Sequence, residues 1–284
     1  MGRSRPVWRR VGRLVAIMLG VALVLTAVLW GIQRQFIYFP DSRSVPAAGD
    51  VIDGAQDVTL RTADGLDLGA WFVPPTGPDR EVAVLLANGN AGDRESRAAT
   101  ATALADVGFS VLLFDYRGYG GNPGKPSEEG LVADAEAALG ALTGEYGFPH
   151  DRVLYFGESI GTGVVSGLAT DHPPAGILLR SPFTDLPSAG AAHYPFLPLG
   201  LLLRDRYPIE DQIRALEVPT TVVYGDADSV ILPEESRRVA AAVPNLVEEV
   251  VFEGTDHNDP EMFHSPRLVE AVEHLATTAV GDTR

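Results

Sequence analysis

The stretch that most constrains this chain is Tyr155-Phe156-Gly157-Glu158-Ser159-Ile160-Gly161-Thr162-Gly163, with a G-x-S-x-G core. The apolar, aromatic run Val153-Leu154-Tyr155-Phe156 before it reads as a buried strand, and Val164 to Ala169 behind it as a helix. A serine on so abrupt a strand-to-helix turn is held in a strained backbone conformation, its oxygen projecting from the end of a sheet. Side chains at the flanking glycine positions would collide with the strand or the helix. Motifs this short recur by chance, so the strand and helix around the serine carry the weight.

The rest of the chain supplies a sheet for that turn. Asp57 to Thr62 and Leu66 to Val73 alternate in strand fashion around Asp64-Gly65, a hairpin signal. Val82 to Ala87 is a continuous apolar run, as in a strand covered on both faces. Arg94 to Val107 reads as a helix and Ser110 to Phe114 as a strand. Ser127 suits the N-cap of a long helix with Glu128 and Glu129 in its first turn. Ile177 to Leu179, Thr221 to Tyr224 and Glu248 to Phe252 continue the strands, with helices near Pro233 to Val243 and Pro266 to Ala276. Such alternation predicts an α/β domain over residues 57–284, a mainly parallel central sheet with helices on both faces. A proline- and aromatic-rich excursion at about 183–213 reads as a short cap on that one domain.

The N-terminus has a different character. Leu14 to Ile32 is an unbroken uncharged run, long enough as a helix to cross a hydrocarbon core. Arg3, Arg5, Arg9, Arg10 and Arg13 precede it, and only Arg34 and Arg43 follow closely. The chain is therefore expected to be a single-pass membrane protein: a basic cytoplasmic tail (1–13), a transmembrane helix (14–32) and a juxtamembrane segment (33–56). The remaining domain would lie outside. Trp30, Phe36, Tyr38 and Phe39 suit the far interface. A cleaved signal peptide is the alternative, but bulky Ala27-Val28-Leu29-Trp30 offers no small-x-small site.

A hydrophobic content of 45% and a charged content of 21% are those of a folded protein. Net charge is −16, and the first 34 residues carry six Arg and no acid; setting those six aside leaves −22 on the remainder. So acidic a domain is not expected to bind nucleic acid. With no Cys, disulfides, thiol catalysis and Cys-based zinc sites are excluded.

In an open parallel sheet, function collects at the carboxyl ends of the strands. Here those ends carry Asn88-Gly89-Asn90-Ala91, Ser159, Gly225-Asp226-Ala227-Asp228 and Gly254-Thr255-Asp256-His257-Asn258. A serine hydroxyl is a poor nucleophile at neutral pH, so it needs a base, for which His257 is the candidate. An acid must orient the imidazole. Asp228 is preferred to Asp226, because the later residue can turn back across the strand end. The backbone N–H groups of Ile160 and Asn90 are the expected oxyanion donors. His150, His172, His193, His264 and His274 read as structural, and no metal or other cofactor is expected. Activity should fall on acidification through the ordinary histidine range, about 6.5.

With Ser, Asp and His in that order, the chain resembles the α/β-hydrolase superfamily over about Asp57 to Ala276. Within it the chain is similar to a membrane-tethered branch that includes protein depalmitoylases. Phe36-Ile37-Tyr38-Phe39-Pro40, Asn88-Gly89-Asn90-Ala91-Gly92 and Asp115-Tyr116-Arg117-Gly118-Tyr119-Gly120 carry the likeness. So do Pro126-Ser127-Glu128-Glu129-Gly130-Leu131, Gly157 to Gly163 and Ser181-Pro182-Phe183-Thr184-Asp185. The resemblance supports Ser159, Asp228 and His257 as a triad. Many relatives have His-Gly where this chain has Asn88-Gly89, a position that braces the oxyanion loop. The implied activity is a membrane-anchored serine hydrolase that cleaves a small-molecule or lipid-like ester or thioester through an acyl-enzyme. An apolar cap would favour a hydrophobic acyl group. A serine peptidase of the same fold and a non-catalytic, membrane-tethered binding protein are the alternatives.

Overall fold

The computed structural model describes residues 5–281. The chain divides into two compact units, one ending at Tyr38 and the other beginning at Phe39. The first is a single long helix, α1 (Arg5–Ile32), followed by a 3₁₀ turn at Gln33–Phe36. Trp8–Phe36 is long and apolar enough to cross a membrane, with a mean hydropathy of 2.5 over its most apolar 18 residues. Leu19, Leu23 and Val24 are among its exposed apolar side chains. Of the basic tail, the first four residues, including Arg3, lie outside the described residues.

In the second unit the apolar runs form an eight-stranded sheet. Its strands are β1 (Gln56–Arg61), β2 (Asp67–Val73), β3 (Ala83–Ala87), β4 (Ser110–Phe114), β5 (Val153–Glu158), β6 (Gly176–Arg180), β7 (Thr220–Gly225) and β8 (Leu246–Phe252). They lie in the order β8-β7-β6-β5-β3-β4-β2-β1. β1 and β2 pair antiparallel across the Asp64-Gly65 turn, and β2 pairs antiparallel with β4. All other pairings in this sheet are parallel. Parallel neighbours need a crossover. The helices that make them are α2 (Ala98–Asp106), α3 (Glu128–Gly144), α4 (Ile160–Asp171), α5 (Leu186–His193), α6 (Leu199–Leu202), α7 (Ile209–Arg214) and α8 (Pro233–Ala242). The chain ends with α9 (Glu261–His264) and α10 (Pro266–Val280).

Both faces of the central strands are covered, as their unbroken apolar runs require. Val84, Leu86, Leu113, Phe156 and Val223 join one cluster with Leu104 of α2 and Leu268 and Leu275 of α10. The alternate residues Leu85, Leu112, Tyr155, Leu179 and Val222 are fully buried too. Each such side chain stabilises the fold by about 1.5–3 kcal/mol relative to exposure. Ser127 caps α3 by accepting the Gly130 N–H at 3.0 Å, which contributes about 1 kcal/mol.

One local feature departs from the sequence reading. The helix expected from Arg94 starts as a 3₁₀ turn at Glu95–Arg97 and becomes α-helical only at Ala98. The cause is side-chain competition: the Asp115 carboxylate takes the Arg94 N–H at 2.7 Å, and Asp93 takes that of Ser96 at 3.1 Å. Residues 39–56 also belong to the second unit. Phe39–Pro40 forms a two-residue parallel ladder with Ala91–Gly92, and the Ala48 N–H donates to the Asp57 carboxylate at 3.1 Å.

Candidate active site

β5 ends at Glu158 and α4 begins at Ile160, so Ser159 alone makes the turn. Its φ of 51° and ψ of −117° are unfavourable for a residue with a Cβ, costing on the order of 1–3 kcal/mol. Surrounding bonds hold it there. The Ser159 N–H donates to the Arg180 carbonyl at 2.8 Å, and the Thr162 N–H and hydroxyl both donate to the Ser159 carbonyl. Space fixes the glycines: a Cβ on Gly157 would lie 2.6 Å from the Gly161 carbonyl oxygen, and one on Gly161 would lie 2.2 Å from that of Ala87. Gly161→Ala must push α4 away from β3. It is expected to lower unfolding stability by about 1–3 kcal/mol and to depress activity per folded molecule, checked by urea denaturation alongside ester hydrolysis.

Asp228 and His257 follow the ends of β7 and β8. The Asp228 Oδ2 lies 2.7 Å from His257 Nδ1. Its Oδ1 accepts the N–H groups of Val230 and Ile231 at 2.9 and 2.8 Å. Both residues are buried. Asp226 faces outward and uses its carboxylate differently, accepting the Gly254 N–H at 2.6 Å. Asp256 completes the brace between the two loops, accepting from the Ser229 N–H at 2.7 Å, the Ser229 hydroxyl and the His257 N–H at 2.8 Å. Those N–H donors, Ser229 first, hold its carboxyl below the usual aspartate value. Among the described residues no hydrogen bond joins His257 to the Ser159 hydroxyl.

The loop after β3 is fixed from two sides. The Asn90 carbonyl accepts the Phe39 N–H and the Tyr119 hydroxyl, each at 2.9 Å. The Tyr116 hydroxyl donates to the Asn88 carbonyl at 2.8 Å, while Asn88 Nδ2 donates to the Phe114 carbonyl at 3.3 Å. The amide at position 88 thus ties the loop to the end of β4. Ile160 is the first helical residue, so its N–H has no intrahelical acceptor. It lies at the positive end of the α4 dipole.

One group of residues next to Ser159 lies outside what the sequence reading names. Glu158 has no solvent exposure, and its Oε2 is 2.5 Å from Arg97 Nε and 3.3 Å from Arg180 Nη2. Burial pushes its carboxyl up, but the charges of Arg97 and Arg180 outweigh this and hold it below the ordinary glutamate value. The clue was in the motif itself: a glutamate closing a buried strand demands a cationic partner. The two arginines fit that demand, although neither is near Glu158 in sequence.

Comparison with known proteins agrees with this architecture. Residues 78–206 match the family described as serine aminopeptidase, S33. An uncharacterised protein of Mycobacterium tuberculosis is 47% identical over 264 residues, covering 92% of this chain and 94% of its own. The α/β-hydrolase domain-containing protein 17C of Xenopus tropicalis is 31% identical over 226 residues, 78% of this chain and 71% of that one. Among solved structures, an esterase of Pyrococcus furiosus superposes with a TM-score of 0.69 at 19% identity, over 86% of this chain and 98% of its own. At that identity the likeness is one of fold.

Proposed function

The chain belongs to the α/β-hydrolase family, and we propose that within it this protein is a membrane-anchored serine hydrolase acting on esters or thioesters of a hydrophobic acyl group. One observation carries the reading: a strained serine at the end of β5 lies on the same sheet edge as a buried Asp228–His257 pair. Ser159 Oγ attacks the acyl carbonyl while His257 Nε2 takes its proton. Asp228 keeps the ring proton on Nδ1, leaving Nε2 free to accept. The oxyanion is met by the N–H groups of Ile160 and Asn90. Collapse of the intermediate expels the alcohol or thiol with a proton from His257, and water then releases the acid by the reverse sequence.

The cap supports an apolar substrate. Tyr194, Phe196, Leu197 and Leu201 present exposed rings and alkyl groups between β6 and β7. A chain-length series of p-nitrophenyl esters and acyl thioesters tests this preference, with rates rising beyond acetate as the expected result. The description of the matched family favours a second reading, an aminopeptidase; turnover of aminoacyl amides in preference to every ester would establish it. A fluorophosphonate probe is expected to modify Ser159, identified by peptide mass. An unmodified serine in folded protein would point to a binding protein instead.

The N-terminal helix is the membrane anchor, with Arg9, Arg10 and Arg13 on the cytoplasmic side. Protease added to intact cells is expected to cleave the domain, and full protection would reverse that orientation.

A further inference from the structure

Glu158 and Arg180 end adjacent parallel strands and are register partners, one hydrogen-bonded step apart at the sheet edge. Arg180 is 1% exposed. Its backbone carbonyl accepts the Ser159 N–H at 2.8 Å. Its side chain bridges two partners: Nη1 donates to the His257 carbonyl at 3.2 Å, while Nη2 pairs with Glu158. The guanidinium carbon lies 4.3 Å from the centre of the Phe263 ring, just beyond the histidine loop. A single residue therefore holds the turn carrying the nucleophile with its main chain and the loop carrying the base with its side chain.

We propose that Arg180 is a positioning residue for catalysis: its planar fork fixes the distance between the Ser159 turn and the His257 loop. The inference rests on the serine hydrolase reading. Charge bookkeeping fits the role: the two cations Arg97 and Arg180 are opposed by the two carboxylates Glu158 and Asp228. Lysine cannot reproduce the grip, because one ammonium on a flexible stem does not present two donors in a fixed plane.

The test uses the full chain in detergent, with active sites counted by fluorophosphonate titration and kcat expressed per titrated site. Misplacing a reacting group by about 1 Å costs about 10²-fold, and Arg180→Met is expected to lower kcat by that order with KM within about twofold. Arg180→Lys keeps the charge and one contact, and its loss is expected near tenfold. A purely structural role would lower the melting temperature and leave kcat per site unchanged. If Arg180→Met does not fold, Arg180→Lys decides alone. A kcat per site within about twofold of the wild type in a folded variant overturns the proposal. A wild-type protein that takes no label removes both this inference and the hydrolase reading; a labelled wild type with an unaffected variant removes only this one.

Discussion

Ser159→Ala is expected to lower kcat by on the order of 10⁴-fold or more and to abolish fluorophosphonate labelling, with no loss of folded protein. The selectivity of that effect follows from where the residue sits. Its side chain does not cap α4, and the bonds that hold the turn use its N–H and carbonyl, which alanine retains. Alanine also tolerates the positive φ no worse than serine does. Circular dichroism and the urea midpoint should therefore match the wild type while ester hydrolysis falls to background. A variant that keeps near-full esterase activity would end the assignment of the nucleophile.

Asp228→Asn should have the second largest effect, lowering kcat on the order of 10⁴-fold. The carboxylate accepts on both oxygens, from two backbone N–H groups on one side and the imidazole on the other. An asparagine keeps its carbonyl on the backbone donors only by turning its NH₂ toward the ring. Nδ1 must then accept, the ring proton moves to Nε2, and the base can no longer take the serine proton. Asp226→Asn is the matched control: among the described residues its carboxylate hydrogen-bonds only the Gly254 N–H, and kcat should stay within about tenfold. Equal losses in the two variants would take the acid role away from Asp228.

Much of the scaffold was legible because its signals are local. The unbroken run before Asn88, the Asp64-Gly65 turn and the Ser127 cap each name an element within a few residues. Ser159, Asp228 and His257 stood out as candidates because each follows its own strand. The two-residue ladder at Phe39–Pro40 was not, since two residues show no period. The interior of the 183–213 excursion resolves into three short helices, none long enough to declare itself by periodicity. The Arg97–Glu158–Arg180 group depends on strand register and on a helix start 61 residues away, information that no window of sequence contains.

That small ladder decides where this protein can be cut. Trimming to residue 41 to gain a soluble enzyme discards Phe39 and Pro40, stripping the Asn90 carbonyl of the Phe39 N–H and the Ala91–Gly92 edge of its neighbour. Kinetics gathered on such a fragment would describe a loosened Asn88–Gly92 loop. A start a few residues upstream of Phe39 preserves the native enzyme.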